Sequence, residues 1–202
     1  LLVLYKAEAA PTLFDPRDGA RLFAYYRHDQ RYDYLSPSFQ VSASYKIDPS
    51  FAIHPWLMCP SGDHKLWILD KADNSLKKIN VRESEVELEV MVDSAVIRNT
   101  GMFTVMREYQ SFVFLLNPSK GIAIFNNLGN YLRTIEVPGV QSFNFLGEEL
   151  YYLKGQKLEL FNLFSTETRQ IDLPSRPTHV LLTDERMILV TPLKIDIFSF
   201  RP

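Results

Sequence analysis

Three stretches of the chain align over eleven positions without a gap: LDKADNSLKKI (69–79), FNNLGNYLRTI (125–135) and FNLFSTETRQI (161–171). Each opens on an apolar residue, places Asp or Asn second, passes through a polar or Gly-containing turn and ends on Ile. A short β-rich run lies upstream of each, KLWI, GIAI and KLEL, and the last two are followed by EVPG and DLPS, whose prolines stop a strand. Apolar and polar residues alternate in LELF and YLRTIEV, the period of a strand with one buried face. LGN and ADN carry the Gly and Asn that tight hairpins need at positive φ. A chain built on recurring hairpins of this kind has few folds open to it.

The repeat extends beyond the hairpins. FTVMRE and SFVFLLN precede the second, SFNFLG and ELYYLKG precede the third, and THVLLTD, RMILVTP and LKIDIFSF follow it. The unit is therefore four short strands in roughly 36 residues, close to the blade of a β-propeller. A β-sandwich also spaces its strands closely, but it does not explain an ungapped hairpin repeat. Toward the N-terminus, TLFDP, RLFAYYRH, RYDYLSP and FQVSASYKI give one unit, and SFAIHP, WLMCPSGD, HKLWILD and SLKKINV the next. Residues 82–101 then break the period and read as an insertion. Blades begin near residues 11, 50, 102, 141 and 177, and the fifth holds only three strands. The expectation is an all-β chain, one propeller domain over 1–202, with five four-stranded blades. Residues 1–8, whose VLYKAE alternates like LRTIEVP, are expected to add the missing outer strand beside LKIDIFSF and so remove an open edge. That use is preferred over a signal-peptide remnant, because Tyr5, Lys6 and Glu8 spoil an apolar core segment.

The FNNLGN turn (125–130) resembles the F-D/N-x-x-G-N turn of β-propeller repeat proteins of the NHL-like and bacterial secreted kind. The resemblance covers nearly the whole chain as a pattern and lacks the Gly-His and Trp-Asp marks of WD repeats. It implies the fold and leaves function open, since propellers host many activities.

Hydrophobic residues make up 46% of the 202, enough for a substantial core. Net charge is −2, from 24 acidic and 22 basic residues, with no basic stripe beyond Lys77-Lys78, so no nucleic-acid partner is expected. No apolar run approaches the length of a membrane span. One cysteine, Cys59, excludes an internal disulfide framework. No Walker loop, G-x-G-x-x-G or G-x-S-x-G occurs, so no nucleotide cofactor and no serine nucleophile is expected.

Two groups of residues could carry a site. His54, Cys59, Asp63 and His64 in HPWLMCPSGDH have zinc-type side chains at spacings that fit no zinc knuckle; the plainer reading is a buried Cys59 between two surface histidines. The segment LFAYYRHDQRYDYLSPSFQVSASY is rich in aromatic residues, and Tyr26, Arg27, Tyr32 and Tyr34 are the candidates for an exposed binding patch. The competing reading is that these rings fill the space between blades. The function expected is a non-enzymatic binding or scaffold module for another protein. The alternative is a carbohydrate-binding or glycoside-hydrolysing propeller, disfavoured because the innermost strands carry few acids and none repeats. No cofactor or metal is expected. An extracytoplasmic setting is expected from the absence of Met at position 1 and from the family resemblance.

Overall fold

A computed structural model describes residues 10–92 and 100–201. Among the described residues there are nineteen strands and a single 3-10 turn, Thr100–Met102. The strands form five antiparallel meanders in chain order. The first is β1 (Leu13–Asp15), β2 (Leu22–Tyr26), β3 (Arg31–Leu35) and β4 (Val41–Lys46). The second is β5 (Pro55–Pro60), β6 (Leu66–Asp70), β7 (Ser75–Asn80) and β8 (Glu85–Met91). The third is β9 (Val105–Tyr109), β10 (Phe112–Asn117), β11 (Gly121–Asn126) and β12 (Tyr131–Glu136). The fourth is β13 (Phe143–Leu146), β14 (Glu149–Lys154), β15 (Lys157–Asn162) and β16 (Thr168–Asp172). The last has three described strands, β17 (His179–Leu182), β18 (Arg186–Val190) and β19 (Ile195–Ser199). The chain clusters into two compact units, the first holding the sheets β1–β4, β5–β8 and β9–β12, the second the sheets β13–β16 and β17–β19.

Burial changes across each sheet of the first unit. Central strands are covered on both faces, so LFAYY in β2 and LWILD in β6 are buried at every position. Fourth strands keep one face in water, and EVELEVM in β8 alternates exposed and half-buried residues. The core of the first unit is built on Phe23, Tyr25, Trp67, Ile68, Val113, Leu115 and Phe125, and that of the second on Tyr151, Leu158, Leu160, Leu182 and Leu189.

The second sheet differs from the sequence reading by one strand. Residues 51–54 form a turn, not a first strand: Phe51 N–H donates to the Asp48 carbonyl, and the N–H groups of Ile53 and His54 donate to the Asp70 carboxylate. With those donors spent on a side chain, the first strand becomes PWLMCP. Residues 85–91, inside the segment read as an insertion, are β8, where Val86, Leu88 and Val90 pack and Glu85, Glu87 and Glu89 face water. Consequently 69–79 joins the second and third strands of its sheet, whereas 125–135 and 161–171 join the third and fourth. What the three hairpins share is a local device. Asp70, Asn126 and Asn162 each end a strand, and each Oδ1 accepts the N–H two residues on, from Ala72 at 2.9 Å, Leu128 at 3.0 Å and Phe164 at 2.9 Å. The expected pairing of residues 1–8 with 193–200 falls outside the described residues.

Gly129 of the FNNLGN turn is constrained twice. Its φ is +75°, and a Cβ there would lie 2.9 Å from Val90 Cγ2 on β8. Gly129→Ala should therefore lose about 2 kcal/mol, through left-handed strain plus displacement of Val90. Chemical denaturation measures it. Gly139→Ala, with φ +91° but nothing within 4 Å, isolates the strain alone and should cost less.

Candidate binding cleft

The first strands β1, β5 and β9 finish at one place, and the turns that follow them line a cleft of about 340 Å³. Asp15, Arg17, Asp18 and Arg21 come from the end of β1 and its turn, Ser61, Gly62, His64 and Lys65 from the turn after β5, and Glu108 and Gln110 from the end of β9. Asp15 and Glu108 are both buried. Arg17 clamps Asp15 through Nε at 2.8 and 2.9 Å and through a guanidinium contact at 2.6 Å, and adds its own backbone N–H at 3.0 Å. Burial works against the Arg17 charge, but the hydrogen bond and attraction of Asp15 outweigh it and raise the Arg17 pKa. Glu108 accepts hydrogen bonds from Ser61 Oγ at 2.5 Å, Gly62 N–H at 2.9 Å and the Trp67 indole N–H at 2.5 Å.

At the rim, Asp63 takes Lys78 at 2.8 Å and Lys65 at 3.4 Å, and Lys65 also takes Glu87 at 2.6 Å. Burial opposes the Asp63 charge, but the lysines prevail and hold its pKa down to about 2. A carboxylate depressed on folding adds stability above its unfolded pKa and loses it as pH falls through its folded one. Asp63→Asn should thus flatten the acid loss of stability between pH 3.8 and about 2 relative to wild type, in melts across that range. The effect is small, because the side chain is 43% exposed.

A groove of about 520 Å³ adjoins the cleft, lined by Tyr32, Tyr34, Tyr45, Leu66, Val81, Arg21, His64 and Arg82. Cleft and groove share Arg21, Tyr34 and His64. The Arg21 guanidinium lies over the Tyr34 ring, 3.5 Å from its centroid. Tyr34 meets Tyr32 and Phe23 edge-on at 5.8 Å, and Tyr32 stacks on Tyr45 at 5.3 Å. Burial, first of all, raises the pKa of Tyr32 and of Tyr34, so both stay neutral phenols at physiological pH.

The patch named from the sequence is therefore placed differently. Tyr26 and Tyr32 are buried, Tyr34 and Arg27 are half-buried. Alternation does send Tyr25 and Tyr26 to opposite faces, but both faces of β2 are covered. Arg27 lies over Trp56 at 3.6 Å and donates to the Trp56 carbonyl, apart from the groove. Arg21, Tyr45 and Arg82 complete the arrangement and were missed. Tyr45 sits on β4, whose partner-strand register with Tyr32 was the available signal.

His54, Cys59 and His64 do not converge. His54 precedes β5 and His64 lies in the turn beyond its far end, so a six-residue strand of about 20 Å separates them. Both histidines are exposed and Cys59 is fully buried. Burial pushes the Cys59 thiol well above the ordinary range. A thiol reagent should label it slowly in native protein and fast in denaturant; rapid native labelling would show that β5 opens. Among the described residues the grouping of possible ligands is instead Glu83, Glu85 and Glu87, all exposed.

No family model matches the chain and no curated protein matches it. Solved structures do. Virginiamycin B lyase from Staphylococcus aureus superposes with a TM-score of 0.59 at 14% identity, over 99% of this chain and 72% of the lyase. Kluyveromyces lactis Hsv2 superposes with 0.64 at 12% identity, over 90% of this chain and 57% of Hsv2. An extracellular domain assigned to a hybrid two-component system of B. thetaiotaomicron gives 0.59 at 12% identity, over 92% of this chain and 26% of that one. The chain thus spans little more than half of Hsv2 and about a quarter of the bacterial protein. At such identities the likeness shows the fold alone. That fold is a β-propeller, and the five meanders are its blades. No helix among the described residues is long and apolar enough to cross a membrane.

Proposed function

We propose that the chain is a non-enzymatic binding module that receives a protein partner where the cleft and groove of the first unit meet. The observation that carries this reading is the Arg21 guanidinium stacked 3.5 Å over Tyr34. Among the described residues Arg21 makes no ion pair, so its hydrogen-bonding edges stay available while the ring fixes its plane. Tyr45 beside it is 44% exposed. Arginine and tyrosine dominate interface energetics because they bring area and hydrogen bonds at low entropic cost.

The glycoside-hydrolysing alternative requires one carboxyl to give a proton and another to take one or to attack. The buried acids of the cleft are engaged otherwise: Asp15 is clamped by Arg17, and Glu108 holds three donors. The expected kinship with NHL-like secreted propellers and the extracytoplasmic setting belong to this proposal too, and fractionation of the source cells tests the setting.

The test is site-specific photo-cross-linking in those cells. A benzophenone residue at position 45 should yield a discrete protein adduct, lost in the Arg21→Ala variant, while the same residue at exposed Phe164 of the second unit yields none. Adducts at 164 but not at 45, or turnover of a glycoside substrate, would overturn the proposal.

A further inference from the structure

Resting on that binding reading, we infer that the groove takes an extended acidic segment of a protein, with carboxylates on Arg21 and Arg82 and an apolar side chain between them. The lining residues define the chemistry. Three of them can carry positive charge, Arg21, His64 and Arg82, and none is acidic. Among the described residues neither Arg21 nor Arg82 has an ion-pair partner. Of the rim acids, Asp63 is engaged by Lys65 and Lys78, and Glu87 by Lys65. Asp18 lines the cleft, not the groove, and its Oδ1 accepts the Ala20 N–H. Glu83 follows Arg82 in the turn before β8 and does not line the groove. The lining itself therefore offers an anion partners and no opposing acid, and the stacked, planar Arg21 favours a carboxylate taken bidentately.

The floor decides between a peptide and a sugar acid. Leu66 is buried beneath the groove and Val81 is half-buried, with Tyr32 and Tyr45 as the wall. That surface fits an aliphatic or aromatic side chain. An acidic polysaccharide could stack on the same rings and use the same arginines, but Leu66 and Val81 offer its hydroxyls no side-chain partner, whereas they match an apolar side chain. A basic protein segment is excluded by the same charges.

Fluorescence anisotropy with the purified chain tests this. The probes are a dye-labelled peptide of Glu, Asp and Leu, its Lys and Leu counterpart, and an oligogalacturonate of matched charge. The acidic peptide should bind and the other two should bind at least about tenfold more weakly. Binding should weaken as salt rises from low to physiological strength. The double variant Arg21→Glu with Arg82→Glu should lose about tenfold or more in affinity while staying folded, with only a small drop in melting temperature from the lost stacking of Arg21 on Tyr34, since both side chains are exposed and make no ion pair among the described residues. Tyr45→Ala should weaken the peptide without altering the salt dependence. Acidic-peptide binding that survives the double variant overturns the inference, as does oligogalacturonate binding as tightly as the peptide, or no peptide binding by wild type. Cross-linking at position 45 reads separately: an adduct there with a failed peptide removes the acidic chemistry and keeps the protein-binding role, whereas loss of both removes both.

Discussion

Asp70→Ala should lose about 3–5 kcal/mol of unfolding free energy, the scale expected when a buried, fully satisfied charge is removed. Asp70 is completely buried. Its Oδ1 accepts the N–H of His54 at 3.0 Å and of Ala72 at 2.9 Å, and its Oδ2 accepts the N–H of Ile53 at 2.9 Å and Lys77 Nζ at 3.2 Å. Alanine leaves three backbone donors without an acceptor, at ~1–3 kcal/mol for each that water cannot reach. It also removes the most buried partner of Lys77, which keeps Asp73 at 2.8 Å and Glu89 at 3.5 Å. Asparagine, the residue found at the matching turn positions 126 and 162, keeps Oδ1 and should preserve the turn. It puts an amide where Ile53 and Lys77 need an acceptor, so Asp70→Asn should cost about half as much as alanine. Denaturant unfolding of the two variants measures both. A loss under about 1 kcal/mol for Asp70→Ala would show that the 51–54 turn holds without this carboxylate.

Glu108→Ala should cost about 3 kcal/mol and should also reshape the cleft. The carboxylate reaches from β9 into the second blade and satisfies the Trp67 indole, the Ser61 hydroxyl and the Gly62 amide. Trp67 is fully buried in β6, so its N–H has no water to turn to. Glutamine retains one carbonyl oxygen and should lose less. Two readouts separate stability from shape: the denaturant midpoint, and the tryptophan emission, which should shift for Glu108→Ala more than for Glu108→Gln. An unchanged midpoint together with unchanged emission would mean that the loop after β5 is held by its own backbone contacts, Ser61 N–H to Lys65 O at 2.9 Å and His64 N–H to Ser61 O at 3.2 Å.

Much of the fold was legible because its determinants are local. Alternation marks the outer strands, and Asp or Asn at a strand end followed by a turn marks the hairpins. The same locality misled in the second blade. A turn capped by Asp70 looks in sequence like one capped by Asn126, although the first follows a second strand and the other a third. Only the long-range bonds from Ile53 and His54 to Asp70 tell the two apart, and no pattern in the sequence announces them. The candidate site was legible in residue type and displaced in position. Tyr32 and Tyr34 belong to it. Tyr26 drops out because β2 is covered on both faces, which alternation alone cannot reveal. Arg21 enters because its side chain lies over a ring thirteen positions away, a contact set by the β2–β3 hairpin and its preceding turn.

Every strand described here is hydrogen-bonded only to strands adjacent in sequence. Closing such a ladder requires bringing together residues separated by a short turn, so the entropic barrier to each pairing is low and grows only slowly with turn length. Pairing between neighbours in sequence keeps contact order within each blade low, which favours rapid formation of the individual sheets. A duplicated or deleted blade would leave every remaining ladder intact, and its cost would fall instead on contacts between blades, such as Glu108 to Trp67.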